Sequence, residues 1–154
     1  MPKLSTVYFS ELEYSNRDVY NFAAGLPGFE EQIAFLFIEQ PHTRPLVYMQ
    51  SLLNPKLCFL ALPVLTVDPN YRLSLSAEDL TALGLTPGTT PKIGREIGCF
   101  TLLTLTEGAD PTVNLLAPIV VNLQARKALQ VIPAASEYSI QHPLVLEKET
   151  VPCS

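Results

Sequence analysis

The sequence contains no tryptophan, only two histidines and no long hydrophobic run. Its longest apolar stretch, residues 57–65, contains Pro63 and is far shorter than the roughly 20 residues that a membrane-spanning helix requires. Residues 1–6 lack the apolar segment of a secretory signal. We therefore expect a cytoplasmic protein that does not act at a membrane.

Cysteine is also scarce, and its spacing matches no disulfide framework. The three cysteines are Cys58, Cys99 and Cys153, an odd number that is typical of a reducing compartment. Cys58 and Cys99 lie in apolar stretches, where a thiol packs as a small hydrophobic side chain. We expect both to be structural.

Patterns that carry chemistry are missing as well. The sequence has no His-x-x-x-His, no Cys-x-x-Cys and no carboxylate cluster, so we predict no metal and no cofactor. It also has no Gly-x-Ser-x-Gly, and the glycines near residue 25 lack a Walker lysine. We predict that the protein is not an enzyme. Two alternatives stay open: a small barrel hydrolase or isomerase that uses His142 with a carboxylate such as Glu137, and an unrelated peptide- or carbohydrate-binding barrel.

The charge balance is acidic, with 15 acidic and 10 basic residues and a net charge of −5. An acidic chain repels phosphate backbones, which argues against direct binding to nucleic acid. It attracts a basic protein instead. The charge therefore favours a basic protein partner.

The sequence is rich in residues that interrupt regular structure: 14 prolines and seven glycines separate short apolar runs. This pattern leaves room for strands and few helices. We predict strands over residues 6–14, 19–23, 33–39, 46–51, 57–62, 71–75, 97–106, 119–121 and 129–132. The predicted fold is all-β with one or two short helices, a small barrel or sandwich in a single domain over residues 1–154. We place its core at about residues 7–144 and expect a flexible tail over 145–154.

One helix has clear start and stop signals. Ser76 is a good N-cap and Asp79, three residues later, completes a capping box. Residues 77–83 then place Leu80 and Leu83 on one face, and Gly84 suits the position after the helix.

The segment 25–31 combines a turn with two carboxylates. Gly25, Pro27 and Gly28 are typical of a tight turn, and Phe29 is expected to cover the core. The adjacent carboxylates do not help a core, so we interpret them as partner contacts in an acidic patch with two carboxylates of the first strand. The patch consists of Glu30, Glu31, Glu11 and Glu13.

Amides mark the ends of several predicted strands. Asn114 and Asn122 bracket the β-branched run 119–121, and a basic turn at Arg126 follows. We predict a binding surface at these strand ends, formed by Gln50, Asn114, Asn122, Gln124 and Arg126. The alternative is that the amides only cap their own turns.

Five stretches, in order and spacing, resemble the FliW family of flagellar assembly factors from about residue 7 to 144. They read Gly-Leu-Pro-Gly-Phe-Glu from Gly25, Tyr-Met-Gln-Ser from Tyr48 with Pro55 beyond it, Asn-Leu-Leu-Ala-Pro-Ile-Val-Val-Asn from Asn114, Gln-Val-Ile from Gln130 and Tyr-Ser-Ile-Gln-His-Pro-Leu from Tyr138. The chain departs from the family at Met49, where relatives often have an aromatic residue, and in the Thr/Pro/Gly-rich residues 86–95.

The resemblance implies a non-enzymatic, cytoplasmic, β-barrel-like protein, monomeric when free. Such a protein binds flagellin, and it also binds the RNA-binding translational repressor CsrA, relieving repression of flagellin synthesis. Free flagellin competes for the factor. We expect the acidic patch to face the basic repressor and the amide-rich strand ends to capture flagellin.

Overall fold

The computed structural model of this chain describes residues 3–6, 9–133 and 137–144. Its elements, in chain order, are β1 (Lys3–Thr6), β2 (Ser10–Glu13), β3 (Val19–Phe22), β4 (Ala34–Glu39), β5 (Val47–Ser51), β6 (Cys58–Pro63), α1 (Val64–Val67), α2 (Ala77–Ala82), β7 (Ile97–Thr104), β8 (Thr112–Val113), β9 (Ile119–Asn122), β10 (Lys127–Gln130) and β11 (His142–Pro143). The mainly β fold with short helices was predicted, and it is confirmed.

Within this part of the chain, seven strands close into a barrel. The order is β7-β6-β5-β4-β3-β10-β9, and β9 pairs back onto β7. Neighbours run antiparallel except β3 and β10, which are parallel. Closure pairs every barrel strand on both sides and removes the exposed edges of an open sheet. The short strands β8 and β11 extend the sheet beyond β7, while β1 and β2 form a separate hairpin.

The barrel has a core inside it and a second core on its outer face. Alternating side chains such as Phe35, Met49 and Val121 point inward and are fully or almost fully buried. Val120 belongs to the second core, which the α1–α2 region covers. Because β9 is buried on both faces, its sequence is a continuous apolar run rather than an alternating one. Met49, where the sequence departs from the family, is thus an interior residue.

The predicted helix is confirmed, including its caps. Ser76 Oγ accepts from the Asp79 backbone N–H at 3.0 Å, and Asp79 Oδ2 accepts from the Ser76 N–H at 3.0 Å. Leu80 and Leu83 are buried, and Gly84 adopts φ 78° just after the helix. This left-handed conformation is the reason for glycine there.

The strand predicted over residues 6–14 is wrong. The structure has two antiparallel strands instead, with Thr6 opposite Ser10. Thr6 Oγ1 accepts from the Phe9 N–H at 2.8 Å, a side-chain bond between the end of β1 and the residue before β2. The alternating pattern of residues 6–14 does not reveal this bond.

Residues 71–75, also predicted as a strand, pair with no strand among the described residues. Tyr71, Leu73 and Leu75 pack against the second core while Arg72 and Ser74 are exposed. The alternation therefore reflects an extended segment lying on a core, without a hydrogen-bonded ladder. The single-turn helix α1 was not predicted, because four residues are too few for a periodic pattern.

The other seven predicted strands lie within about two residues of their predicted bounds, with β10 starting at Lys127 rather than 129. The two-residue strands β8 and β11 were not predicted. Cys99 is buried and Cys58 half-buried, consistent with their predicted structural role. Burial raises the pKa of the Cys99 thiol to about 12 and that of Cys58 to about 11. Cys153 and the tail predicted over 145–154 lie outside the described residues.

Among the described residues, no helix has the length and apolar character needed to cross a membrane.

Candidate functional site

The turn between β3 and β4 is built on two glycines in left-handed conformations. Gly25 has φ 67° and Gly28 has φ 83°. A Cβ at Gly25 would lie 2.5 Å from the Glu30 carbonyl oxygen, so only glycine fits there. Pro27 lies exposed at the tip of the turn. The structural role predicted for this turn agrees with its geometry.

The residue of this turn that is buried in the core is Leu26, not Phe29. Leu26 is 2% exposed, whereas Phe29 is 41% exposed and contacts the Phe59 ring edge-on, with centroids 5.3 Å apart. Phe29 therefore covers the core only in part, through its contact with Phe59. Leu26 and Phe29 pair through their backbones, and their side chains differ sharply in exposure.

Three exposed apolar side chains gather at this end of the barrel, a feature that sequence analysis missed. Phe29, Ile33 and Leu53 are 41%, 46% and 61% exposed, and we call them the end patch. Phe35 pairs with Ser51, and the Leu52 N–H donates to the Ala34 carbonyl oxygen, so Ile33 and Leu53 flank the same end of the β4–β5 pair. No periodic pattern joins these positions, because strand pairing brings them together.

Carboxylates lie beside the end patch. Glu30 and Glu31 are both exposed. Glu30 Oε2 also accepts from the Gly28 N–H at 3.0 Å, so this side chain stabilises the turn. The patch therefore has an apolar centre and an acidic margin.

The other two predicted acidic residues lie elsewhere on the barrel. Glu11 and Glu13 are exposed on β2. Their hairpin contacts the barrel through Phe9, which meets Tyr48 edge-on at 5.3 Å. Tyr48 is near the start of β5, whereas the end patch lies beyond the end of β5. The structure separates the four carboxylates into two pairs.

Two of the predicted binding amides are buried and form hydrogen bonds within the protein, although Gln50 Oε1 has no hydrogen-bond partner among the described residues. Gln50 is completely buried, and its Nε2 donates to the carbonyl oxygens of Ser51 and Asn54 at 3.1 and 3.3 Å. Asn122 is 4% exposed; its Oδ1 accepts from the N–H groups of Gln124 and Ala125, each at 3.0 Å. As direct partner contacts, Gln50 and Asn122 are corrected to structural groups.

Asn114 is likewise hydrogen-bonded within the protein. It is half-buried, and its Oδ1 accepts from the Ala117 N–H at 3.0 Å. The alternative that the amides cap their own turns therefore describes Asn114 and Asn122. Gln124 alone among these amides is exposed.

Arg126 lies at the opposite end of the barrel from the end patch. It is the one described residue other than glycine with a positive φ, 61°. Its guanidinium carbon lies 5.0 Å from the centroid of the Tyr20 ring, and its Nη1 donates to the Tyr20 hydroxyl. A cavity of about 380 Å³ opens beside it, and Arg17, Asp18 and Glu39 also line this cavity. We call this opening the barrel mouth.

An apolar groove of about 800 Å³ runs along the outer face of β6 and β7. Its floor is Leu60, Leu62 and Leu103, and Leu105, at its rim, is 63% exposed. Val67 of α1 borders it on one side. We call it the leucine groove.

The enzyme alternative required His142 beside Glu137. His142 lies in β11 and pairs with Val113, whereas Glu137 lines a cavity of about 200 Å³ together with Tyr71 and Tyr138. His142 is not part of that cavity lining. Across the described residues, no three His, Cys, Asp or Glu side chains gather closely enough to hold a metal ion.

The sequence is similar to one family of known proteins over most of its length. A family model described as FliW protein matches residues 3–144. The chain is 32% identical to the flagellar assembly factor FliW of Syntrophomonas wolfei, over 92% of this chain and 88% of that protein. It is 36% identical to the protein of the same name from Pseudothermotoga lettingae, over 86% of this chain and 81% of the relative.

A solved structure is also similar over nearly the full length. It is a crystal structure of the flagellar assembly factor FliW, which superposes with a TM-score of 0.81 and 31% identity. The match covers 96% of this chain and 99% of the other.

Proposed function

The chain belongs to the FliW family of flagellar assembly factors, and from this premise we propose that it is a non-enzymatic cytoplasmic factor that binds flagellin and the repressor CsrA. In this proposal, the factor binds the repressor when little free flagellin is present, and this relieves the repression of flagellin translation. Free flagellin competes for the factor, and because the two partners are assigned to separate surfaces below, binding at one surface must weaken binding at the other.

The observation that carries the proposal is the end patch with its acidic margin. An exposed apolar cluster beside two carboxylates is typical of a protein–protein contact, in which the apolar centre supplies affinity. The carboxylates accelerate and orient the approach of a basic partner. An RNA-binding repressor presents such a basic surface, so we assign the repressor to the end patch.

The leucine groove is the better candidate for flagellin. Flagellin termini are amphipathic and unpaired before export, and an amphipathic helix places its apolar face into a groove of this kind. The amide-rich strand ends, which the sequence suggested for this role, are largely occupied by their own hydrogen bonds. The proposed flagellin surface therefore moves from those strand ends to the outer face of β6 and β7.

The test is a binding titration of purified CsrA with the double variant Ile33→Asp, Leu53→Asp. We expect affinity to fall at least about tenfold, because two apolar contacts at the centre of an interface are lost. Leu65→Asp is the matched control, since Leu65 is 39% exposed but lies in α1, which follows β6 at the opposite end of the barrel. Equal repressor affinity for the double variant and the control would remove the end patch from the proposal.

The acidic margin is tested separately with Glu30→Gln and Glu31→Lys. Glutamine keeps an oxygen that can accept from Gly28, so the first variant removes charge without removing the turn contact. We expect both variants to associate with the repressor more slowly than the parent at low salt and at the same rate as the parent at high salt.

Co-purification from a motile host examines the whole proposal: recovery of neither flagellin nor the repressor would refute it.

A further inference from the structure

We propose that the barrel mouth is a binding site for a carboxylate carried on an apolar stem, with Arg126 and Tyr20 as its donors. This site is at the opposite end of the barrel from the end patch and does not depend on the proposed partners.

The first argument is the charge state of Arg126. Among the described residues, the one ion pair joins Arg44 to Glu39, so no carboxylate of this part of the chain forms an ion pair with the Arg126 guanidinium. Arg126 is nevertheless half-buried over an aromatic ring in a chain whose net charge is −5. A guanidinium matches a carboxylate with two parallel N–H donors, and only its bond to the Tyr20 hydroxyl occupies it here.

The second argument is the Tyr20 hydroxyl. It accepts the bond from Arg126, which leaves its own proton free to donate. Tyr20 is only 6% exposed, so packing holds the position of this hydroxyl donor at the mouth. Arg126 and Tyr20 thus offer N–H and O–H donors from neighbouring positions, as an anion requires.

The third argument is the wall of the mouth. Phe37, Phe100, Val47 and Leu123 line the same cavity and are apolar. A site with apolar walls and a few convergent donors holds a ligand by its stem and orients it by its polar end. The volume of about 380 Å³ fits a side chain or a chain terminus rather than a folded element.

Two carboxylates also line the mouth, and both face other partners. Asp18 Oδ2 accepts from the Ser15 N–H at 2.8 Å, and Glu39 Oε1 lies 4.0 Å from Arg44 Nε. Their charge still opposes an incoming carboxylate. Glu39→Gln should therefore strengthen ligand binding, the opposite of the effect expected for Arg126 variants.

The backbone provides a fourth argument. A positive φ costs a branched or long side chain about 1 kcal/mol or more, and glycine or asparagine would adopt it more easily. An arginine that only covered the barrel interior could be replaced by an apolar side chain on a neighbouring residue. A ligand that needs the guanidinium would account for an arginine at this strained position.

The test is an NMR titration of the full chain with an acetylated hexapeptide that ends in leucine as the free acid. We expect saturable shifts at Tyr20, Leu123 and the Arg126 Nε–H, with a Kd of about 1 mM for a ligand of this size. The same peptide with a C-terminal amide should not bind. A third peptide, amidated but with an internal glutamate flanked by leucines, identifies the source of the carboxylate.

Binding of the free acid alone assigns the site to chain termini, and binding of the glutamate peptide assigns it to acidic side chains. If neither carboxylate peptide produces saturable shifts, or if the amide binds equally well, the proposal is overturned.

Variants then separate binding from folding. Arg126→Asn suits the positive φ, so we expect an unchanged or higher Tm together with at least tenfold weaker binding. Tyr20→Phe retains the ring and should weaken binding severalfold. Arg72→Asn, at an exposed arginine that lines the separate cavity beside Tyr71, is the control and should bind as the parent does. Binding by Arg126→Asn at parental affinity would contradict the assignment.

Discussion

The amide of Asn122, the last residue of β9, donates through Nδ2 to the carbonyl oxygen of Leu83 at 2.7 Å. Leu83 ends helix α2, and the two residues are 39 positions apart in the sequence. The helix is thereby fastened to the end of the barrel at a carbonyl that the helix itself leaves unpaired. The other end of the same side chain caps the turn that leads into β10.

Asn122→Ala should destabilise the protein substantially. Three hydrogen bonds from a buried side chain are lost and the Leu83 carbonyl is left without this partner, which together costs about 2–3 kcal/mol. Urea unfolding monitored by tyrosine fluorescence measures the change. Gln124→Ala is the matched control, because this neighbouring amide is exposed, and we expect it to shift stability by less than about 0.5 kcal/mol. Equal stability of the two variants would mean that Asn122 does not tie the helix to the barrel.

The glycines of the β3–β4 turn offer a second pair of matched variants. Alanine at Gly25 would place its Cβ 2.5 Å from a backbone oxygen at φ 67°, so the turn must distort. At Gly28 the added Cβ meets no atom within 4 Å, leaving only the cost of φ 83°. We expect Gly28→Ala to cost about 1 kcal/mol and Gly25→Ala to cost distinctly more. Thermal unfolding of both variants decides the order, and a reversed order would contradict the clash argument.

Local signals were sufficient to predict much of this fold. The Ser76–Asp79 capping box and the buried run of β9 are encoded by neighbouring residues, and both were found where the sequence predicted them. The glycine turn was recognised for the same reason. These features follow from backbone geometry that a few consecutive residues determine.

Features that depend on barrel closure were not predictable in this way. Asn122 resembles a surface amide until its distant partner, Leu83, is known. The end patch joins Ile33 to Leu53 only through the pairing of β4 with β5. Arg126 was predicted as part of a binding surface at the strand ends, and only the parallel pairing of β10 with β3 brings it over Tyr20. The sequence therefore predicts Arg126 as a binding residue but does not predict its contact with Tyr20.

The stability of the protein should decrease at alkaline pH. Burial raises the pKa of the Cys99 thiol from 9.0 to about 12, so between these values the unfolded chain releases a proton that the folded chain retains. Stability is therefore complete below about pH 9 and falls as the pH rises through this window. Burial raises the pKa of Tyr71 as well, which acts in the same direction.

Cys99→Val isolates the contribution of the thiol. Valine removes the ionisable group, so the urea midpoint should decline less steeply between pH 8 and 10.5 than it does in the parent. Cys58→Val is the comparison: because burial raises the pKa of Cys58 only to about 11, the two thiols should contribute almost equally up to pH 10.5 and differ only above about pH 11. Parallel pH profiles for the parent and Cys99→Val would show that this thiol does not control alkaline stability.

The leucine groove can be tested by the exposed side chain at its rim. Leu105→Asp places a charge beside the apolar floor without disturbing the interior, because Leu105 is 63% exposed. We expect flagellin affinity to fall at least about tenfold, since the apolar face of a helix would meet an unpaired carboxylate. Repressor affinity should stay unchanged, and Leu53→Asp in the end patch should produce the reverse pattern. Loss of both partners in both variants would instead indicate one shared surface, and retention of flagellin by Leu105→Asp would exclude the groove.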